Sequence, residues 1–159
     1  MELTKKESYA IQINYYLKNG KIPEACELSK KMIKKFPKKP LSHFMAAKSY
    51  YLSGSYEQAR MEGLKAFNLS HTKADMMVST IVTASSMFML NQYEKAHKML
   101  LPFQKERNQE VKKLMIILSV VLKDENEAAK YYRELDDINR KAAEMFIRRL
   151  AKGRVLKKD

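Results

Sequence analysis

One short pattern recurs along this chain: an apolar helical segment ends at a glycine, and a new helical segment begins a few residues later. The first copy contains Gly20 and Ala25, and the second contains Gly54 and Ala59, so the two copies lie 34 residues apart. Glycine permits the left-handed conformation that ends many helices, and alanine lets two helices approach closely. A repeat of about 34 residues with this pattern predicts stacked helical hairpins.

The pattern returns twice more in a less regular form. Asn91 takes the place of the glycine in the third copy and is followed by Ala96, 37 residues after Ala59. The fourth copy is assigned to Leu122, Asp124, Asn126, Glu127 and Ala129 and has no glycine. The sequence therefore predicts one domain over residues 1–151, with hairpins at about 6–39, 40–73, 77–107 and 110–138, a capping helix at about 138–151, and a basic tail at 152–159.

The first two hairpins carry residues at the signature spacings of a known repeat family. These are Ile13, Tyr16, Gly20, Ala25 and Pro37 in the first hairpin and Ala47, Tyr50, Gly54, Tyr56, Ala59 and Ala66 in the second. In these positions the chain resembles the tetratricopeptide repeat (TPR) family, well over residues 6–73 and less well beyond, and it departs from the family in having no tryptophan. The resemblance implies an all-α fold, a right-handed solenoid of antiparallel helix pairs that binds other proteins.

Composition agrees with a helical protein. The chain has only four glycines and four prolines, which favours helices over sheets. The single cysteine, Cys26, excludes an internal disulfide and fits a reducing compartment, and we interpret it as a buried structural thiol. No secretory signal is recognisable, and the most hydrophobic stretch, residues 76–90, carries five hydroxyl residues. We therefore expect a soluble, cytoplasmic protein without membrane insertion.

Local signals predict several helix ends. Ser55 is expected to cap the fourth helix, and Pro102 is expected to kink or end the sixth. The eighth helix is predicted to be short, at about residues 126–135, and Asp136 or Asp137 is expected to cap the last helix. The fifth helix has apolar residues all around its circumference, which predicts that it is buried or in contact with another molecule.

Charge is concentrated in two segments. Of the net charge of +13, residues 18–39 contribute +6 and residues 139–159 contribute +6, whereas the long middle is nearly balanced. We interpret the two basic surfaces first as solvated faces, with an acidic protein or membrane surface and nucleic acid as alternatives. Their candidate residues are Lys30, Lys31, Lys34, Lys35, Arg148 and Arg149.

No pattern in the sequence indicates catalysis. The three histidines, His43, His71 and His97, fall in different repeats, with no nearby cysteines or paired carboxylates at metal-ligand spacing. There is no glycine-rich phosphate loop and no nucleophile motif. We therefore predict that the protein is not an enzyme and uses neither a cofactor nor a metal.

The TPR resemblance also implies a binding surface, because the first helix of each TPR hairpin lines a concave groove. The corresponding residues are Ala10, Asn14 and Leu17, then Leu41, Phe44, Lys48 and Tyr51, then Val78, Ile81, Ser85 and Phe88, and finally Leu114, Leu118 and Val121. Most are apolar, which predicts a hydrophobic or amphipathic helical segment of another protein as the ligand. The alternative is that these residues only pack one repeat against the next.

Three functional hypotheses remain open from the sequence. The first is a protein-binding adaptor or chaperone, since in size and layout the chain resembles the small TPR chaperones of bacterial secretion systems, although those proteins are usually acidic. The second is a nucleic-acid-binding or regulatory helical-repeat protein that uses its basic ends. The third is an assembly subunit that forms a homodimer through its own groove.

Overall fold

All regular elements between residues 4 and 153, which are the residues that the computed structural model describes, are helices. The all-α prediction is therefore confirmed. Residues 154–159 of the predicted basic tail lie outside the described residues. The helices are α1 (Lys5–Lys18), α2 (Ile22–Lys35), α3 (Pro40–Leu52), α4 (Tyr56–Leu69), α5 (Lys73–Met89), α6 (Tyr93–Leu100), a 3-10 helix (Leu101–Phe103), α7 (Gln109–Val121), α8 (Glu125–Ile138) and α9 (Arg140–Ala151).

The helices group into two compact units, Met1–Asn91 and Gln92–Asp159. The core of the first unit includes Ile13, Met32 and Met45, and the core of the second includes Leu118 and Leu135. The division falls between α5 and α6, inside the predicted third hairpin, and the single domain over residues 1–151 stays a prediction. No helix in the described part of the chain is both long and apolar enough to cross a membrane.

The turn that recurs in the sequence has the same backbone geometry in all four copies. Each turn contains one residue with positive φ, and a buried alanine follows five residues later. The positive angles are 72° at Gly20, 82° at Gly54, 61° at Asn91 and 63° at Lys123. The alanines are Ala25, Ala59, Ala96 and Ala128. The backbone thus repeats more regularly than the sequence does.

The predicted register of the fourth copy is wrong by one residue. Ala128 is buried and Ala129 is exposed, and Lys123 takes the left-handed conformation that glycine or asparagine takes elsewhere. Lysine gives no sequence signal for that conformation, and two adjacent alanines leave the buried one ambiguous.

Several predicted helix ends also need correction. Ser55 precedes α4, but its side chain caps no backbone N–H. Helix α8 is not short, since it runs for 14 residues and contains both Asp136 and Asp137. The cap of α9 is therefore Asn139, whose side chain accepts a hydrogen bond from the Ala142 N–H at 3.0 Å. The early end predicted at Pro102 is confirmed, because α6 stops at Leu100 and a 3-10 turn follows.

Helix α5 is not buried through apolar residues alone. Four of its hydroxyl residues are buried, and the close approach of Gly63 to Thr83 shows that this side packs against α4. Hydroxyls on this helix donate back to its own carbonyl groups, as Thr83 does to Ser79 at 2.7 Å. This arrangement leaves Val78 and Met89 exposed at 37% and 43%. The buried hydroxyl residues are Ser79, Thr80, Thr83 and Ser86.

Candidate partner-binding cleft

Three of the predicted groove residues lie together in a cleft of about 310 Å³ in the first unit. Leu41 and Phe44 come from α3, and Val78 comes from α5. Helix α1 contributes one charged residue, so all three first helices of the hairpins in this unit line the cleft. The complete lining is Lys6, Pro40, Leu41, Phe44, Asp75, Val78 and Ser79.

The positions of these side chains follow from the residues at which α3 and α5 begin. Pro40 is the first residue of α3, where its missing N–H costs little, and Leu41 and Phe44 then follow about one turn apart. Thr72 caps α5 by accepting a hydrogen bond from the Asp75 N–H at 3.1 Å. That cap sets where α5 begins and thereby places Asp75 and Val78 in its first turns. The cleft is therefore apolar, with one basic and one acidic residue among its lining.

Two further predicted groove residues bond to each other. The Lys48 amine donates a hydrogen bond to Asn14 Oδ1 at 3.0 Å, which links α3 to α1. Burial, with a smaller effect of the nearby Lys18, lowers the pKa of Lys48. Lys48 is half-buried and already bonds to Asn14 within the first unit. It is therefore less available to bind a carboxylate of a ligand.

Of the remaining predicted groove residues of this unit, Ala10 is buried and the others are half-buried. Tyr51 packs edge-to-face on Tyr56, with ring centroids 5.5 Å apart, and burial raises the pKa of Tyr51. The Ser85 hydroxyl donates to the carbonyl of Ile81 at 2.7 Å. Phe88 is also half-buried. Tyr51 thus belongs partly to the packing of the α3–α4 hairpin.

The predicted groove residues of the second unit are largely internal. Leu118 is fully buried and Leu114 is 9% exposed, so neither offers a useful surface to a ligand. Helix α7 is buried around most of its circumference, because every residue from Val111 to Ser119 except Lys113 is buried. Val120, which the prediction left out, is 43% exposed.

The predicted basic surfaces are exposed. Lys31, Lys34 and Lys35 lie on the exposed side of α2, and Arg148 and Arg149 lie in the last turn of α9. Lys30 forms an ion pair with Glu27 at 3.0 Å, and this hydrogen bond raises the pKa of Lys30.

Some polar contacts gave no signal in the sequence. His43 is buried, with Nδ1 2.6 Å from a Glu62 oxygen and Nε2 2.6 Å from the Pro37 carbonyl oxygen. These contacts join α3, α4 and the α2–α3 turn.

Burial raises the pKa of the Cys26 thiol, which favours the unreactive protonated form. The described residues contain no group of three or more side chains that could hold a metal ion.

Comparison with known proteins identifies the fold. No protein-family model matches the chain, and no curated protein sequence matches it. Solved structures do match. One is YrrB, described as a TPR protein with an unusual peptide-binding site, which superposes with a TM-score of 0.66 at 14% sequence identity over 82% of this chain and 67% of YrrB. The chain has a TPR-type fold. The sequence resemblance to TPR proteins is thereby confirmed at the level of the fold.

Proposed function

We propose that this TPR-type chain is a non-enzymatic protein-interaction module that acts as an adaptor or chaperone. It holds a hydrophobic or amphipathic segment of a partner protein in the cleft between α1, α3 and α5. The proposal rests on the position of three apolar side chains, because Leu41, Phe44 and Val78 line the same cleft. The described peptide-binding site of YrrB, which shares the fold, supports the same class of function.

The chemistry of the cleft favours an apolar anchor. Burying apolar surface contributes about 25 cal/mol for each Å² removed from water, and an aromatic ring such as that of Phe44 supplies much of that area. Lys6 and Asp75 carry opposite charges, so they can orient a segment that has charges flanking its apolar residues. An amphipathic helix with anchors about one turn apart has this pattern.

A peptide-display experiment tests the proposal. The full chain is used to select binders from a library of random peptides of about 15 residues, a length that allows a short helix. We expect the selected peptides to share apolar residues at helical spacing. The double variant Phe44→Ala, Val78→Ser should weaken their binding by roughly 1–3 kcal/mol, because truncated anchors lose buried area.

The matched control is Met61→Ala. Met61 is also an exposed apolar residue, at 49%, but it lies on α4 and does not line the cleft. This control should leave affinity unchanged, and circular dichroism should show that all variants keep their helices. Equal binding by the cleft variant and the parent protein would contradict the proposal. A dimer in light scattering that the cleft variant breaks would instead favour self-association.

A further inference from the structure

The second unit contains a pocket whose lining is mainly basic. It has a volume of about 500 Å³ and lies between α7, α8 and the loop that precedes α7. Five cationic side chains and two carboxylates line it, which leaves three positive charges in excess. The lining residues are Lys105, Arg107, Lys112, Lys130, Arg133, Glu134, Asp137 and Ile138.

Both carboxylates of this basic pocket already have cationic partners. Glu134 pairs with Lys112 at 2.9 Å, and Asp137 pairs with Arg107 at 3.0 Å. Within residues 4–153, no ion pair joins a carboxylate to the other three cations, which are Lys105, Lys130 and Arg133. Each of these three residues is exposed. The basic pocket therefore presents three cations that can accept an anionic ligand without first breaking an ion pair.

A buried polar network holds the floor of the basic pocket in place. Lys112 is only 3% exposed, and its amine donates both to Glu134 and to the Gln104 carbonyl oxygen. The Tyr131 hydroxyl donates to Gln104 Oε1 at 3.0 Å. Burial, followed by the nearby Glu127, raises the pKa of Tyr131, so this hydroxyl keeps its proton. Separating α7 from α8 would leave the buried charge of Lys112 without its partner Glu134. The cost of that unpaired charge holds the two helices together.

The arrangement of cations indicates an elongated ligand. Lys130, Arg133 and Asp137, with its partner Arg107, follow one another at helical spacing along one side of α8. Seven residues of helix span about 10 Å, which is the length of about three residues of extended chain. Lys130 and Arg133 lie about one turn apart on α8, and Lys105 lies in the loop before α7, so a segment that carries several carboxylates suits this lining better than a single anion.

We infer that the basic pocket binds an extended acidic segment of a partner protein through its glutamate or aspartate side chains. The inference does not depend on the apolar cleft of the first unit, because other residues carry it. Lys105, Lys130 and Arg133 bind the carboxylates of the ligand, and the ion pair of the buried Lys112 with the partly exposed Glu134 positions α8. Because the cations are exposed, binding weakens as salt concentration rises.

Fluorescence anisotropy with a defined probe tests this inference. The probe is a labelled peptide of four glutamates, acetylated and amidated so that it has no terminal charges, and the comparison peptide has glutamines instead. We expect the full chain to bind only the glutamate peptide. Lys130→Gln with Arg133→Gln should weaken binding about tenfold or more, because two charge-assisted contacts are lost. Arg148→Gln with Arg149→Gln removes the same charge elsewhere and should change the affinity less than about threefold.

A variant that binds the peptide more tightly distinguishes binding at the basic pocket from the effect of a folding defect. Asp137→Asn frees Arg107 from its ion pair and should tighten binding of the glutamate peptide about threefold, by adding one available cation. Phe44→Ala with Val78→Ser should bind this peptide normally, whatever it does to apolar peptides. The inference is overturned if both pairs of charge variants lose affinity equally, if the glutamate peptide does not bind, or if inorganic pyrophosphate binds more tightly than the peptide.

Discussion

Gly63 sets the distance between α4 and α5. A Cβ atom at this position would lie 2.2 Å from Oγ1 of Thr83 and 3.2 Å from its Cβ. Thr83 is fully buried and its hydroxyl donates to the Ser79 carbonyl, so it has little room to move. Glycine inside a helix costs about 0.5–1 kcal/mol relative to alanine, and the close contact with α5 explains why it is present here.

Gly63→Ala should lower the free energy of unfolding by roughly 1–3 kcal/mol, because the steric clash outweighs the better helix propensity of alanine. Urea denaturation followed by circular dichroism measures this change. Thr83→Ala removes the Oγ1 atom that clashes, so the double variant should lose less stability than the sum of the two single losses. A Gly63→Ala protein more stable than the parent would mean that α4 and α5 can separate at no cost.

Residue-scale contacts of this kind were only partly predictable from the sequence. The left-handed turns at Gly20 and Gly54 were predicted, because glycine is the residue that turn geometry favours. The left-handed Lys123 was not predicted, since lysine rarely takes that conformation. Gly63 stands inside a helical pattern, which suggests a close approach, but the sequence does not say which side chain it meets.

The starts of α4 and α9 differ in how their backbone N–H groups are satisfied. Asn139 accepts a hydrogen bond from the Ala142 N–H at 3.0 Å, whereas Ser55 gives α4 no side-chain cap. Asn139→Ala should therefore lower the free energy of unfolding by about 1 kcal/mol, and Ser55→Ala should change it by only a few tenths. Thermal unfolding of the two variants compares them directly, and Asn139→Asp should retain most of the stability. Equal losses at the two positions would contradict the assigned caps.

At the scale of elements, the helices of the first hairpins lie where the regular part of the repeat pattern predicts them. Three of the predicted groove residues, Leu41, Phe44 and Val78, line one cleft, and the groove as a partner-binding site stays a prediction. The register slips by one residue in the fourth hairpin, and α7 is buried around most of its circumference, so residues such as Leu118 lie in the core. The basic pocket was not predicted, because its lining depends on how α7 and α8 pair and on a buried lysine that the sequence does not distinguish from exposed ones.

At the scale of the whole molecule, the excess of positive charge works against the folded state. The chain has 31 lysines and arginines against 18 aspartates and glutamates. Several of its ion pairs join exposed residues one turn apart, such as Lys30 with Glu27 and Arg140 with Glu144. Such pairs contribute about 0–1 kcal/mol each, so screening them costs little. Screening the net repulsion between like charges should therefore have the larger effect.

We expect the melting temperature to rise between about 20 mM and 300 mM sodium chloride, because the screening length falls well below the dimensions of the molecule over that range. Differential scanning fluorimetry measures the shift. Lys31→Gln, Lys34→Gln and Lys35→Gln together remove three of the thirteen net charges from an exposed side of α2, so this variant should respond less to salt than the parent. A melting temperature that falls as salt is added would show that attractive ion pairs outweigh the net repulsion.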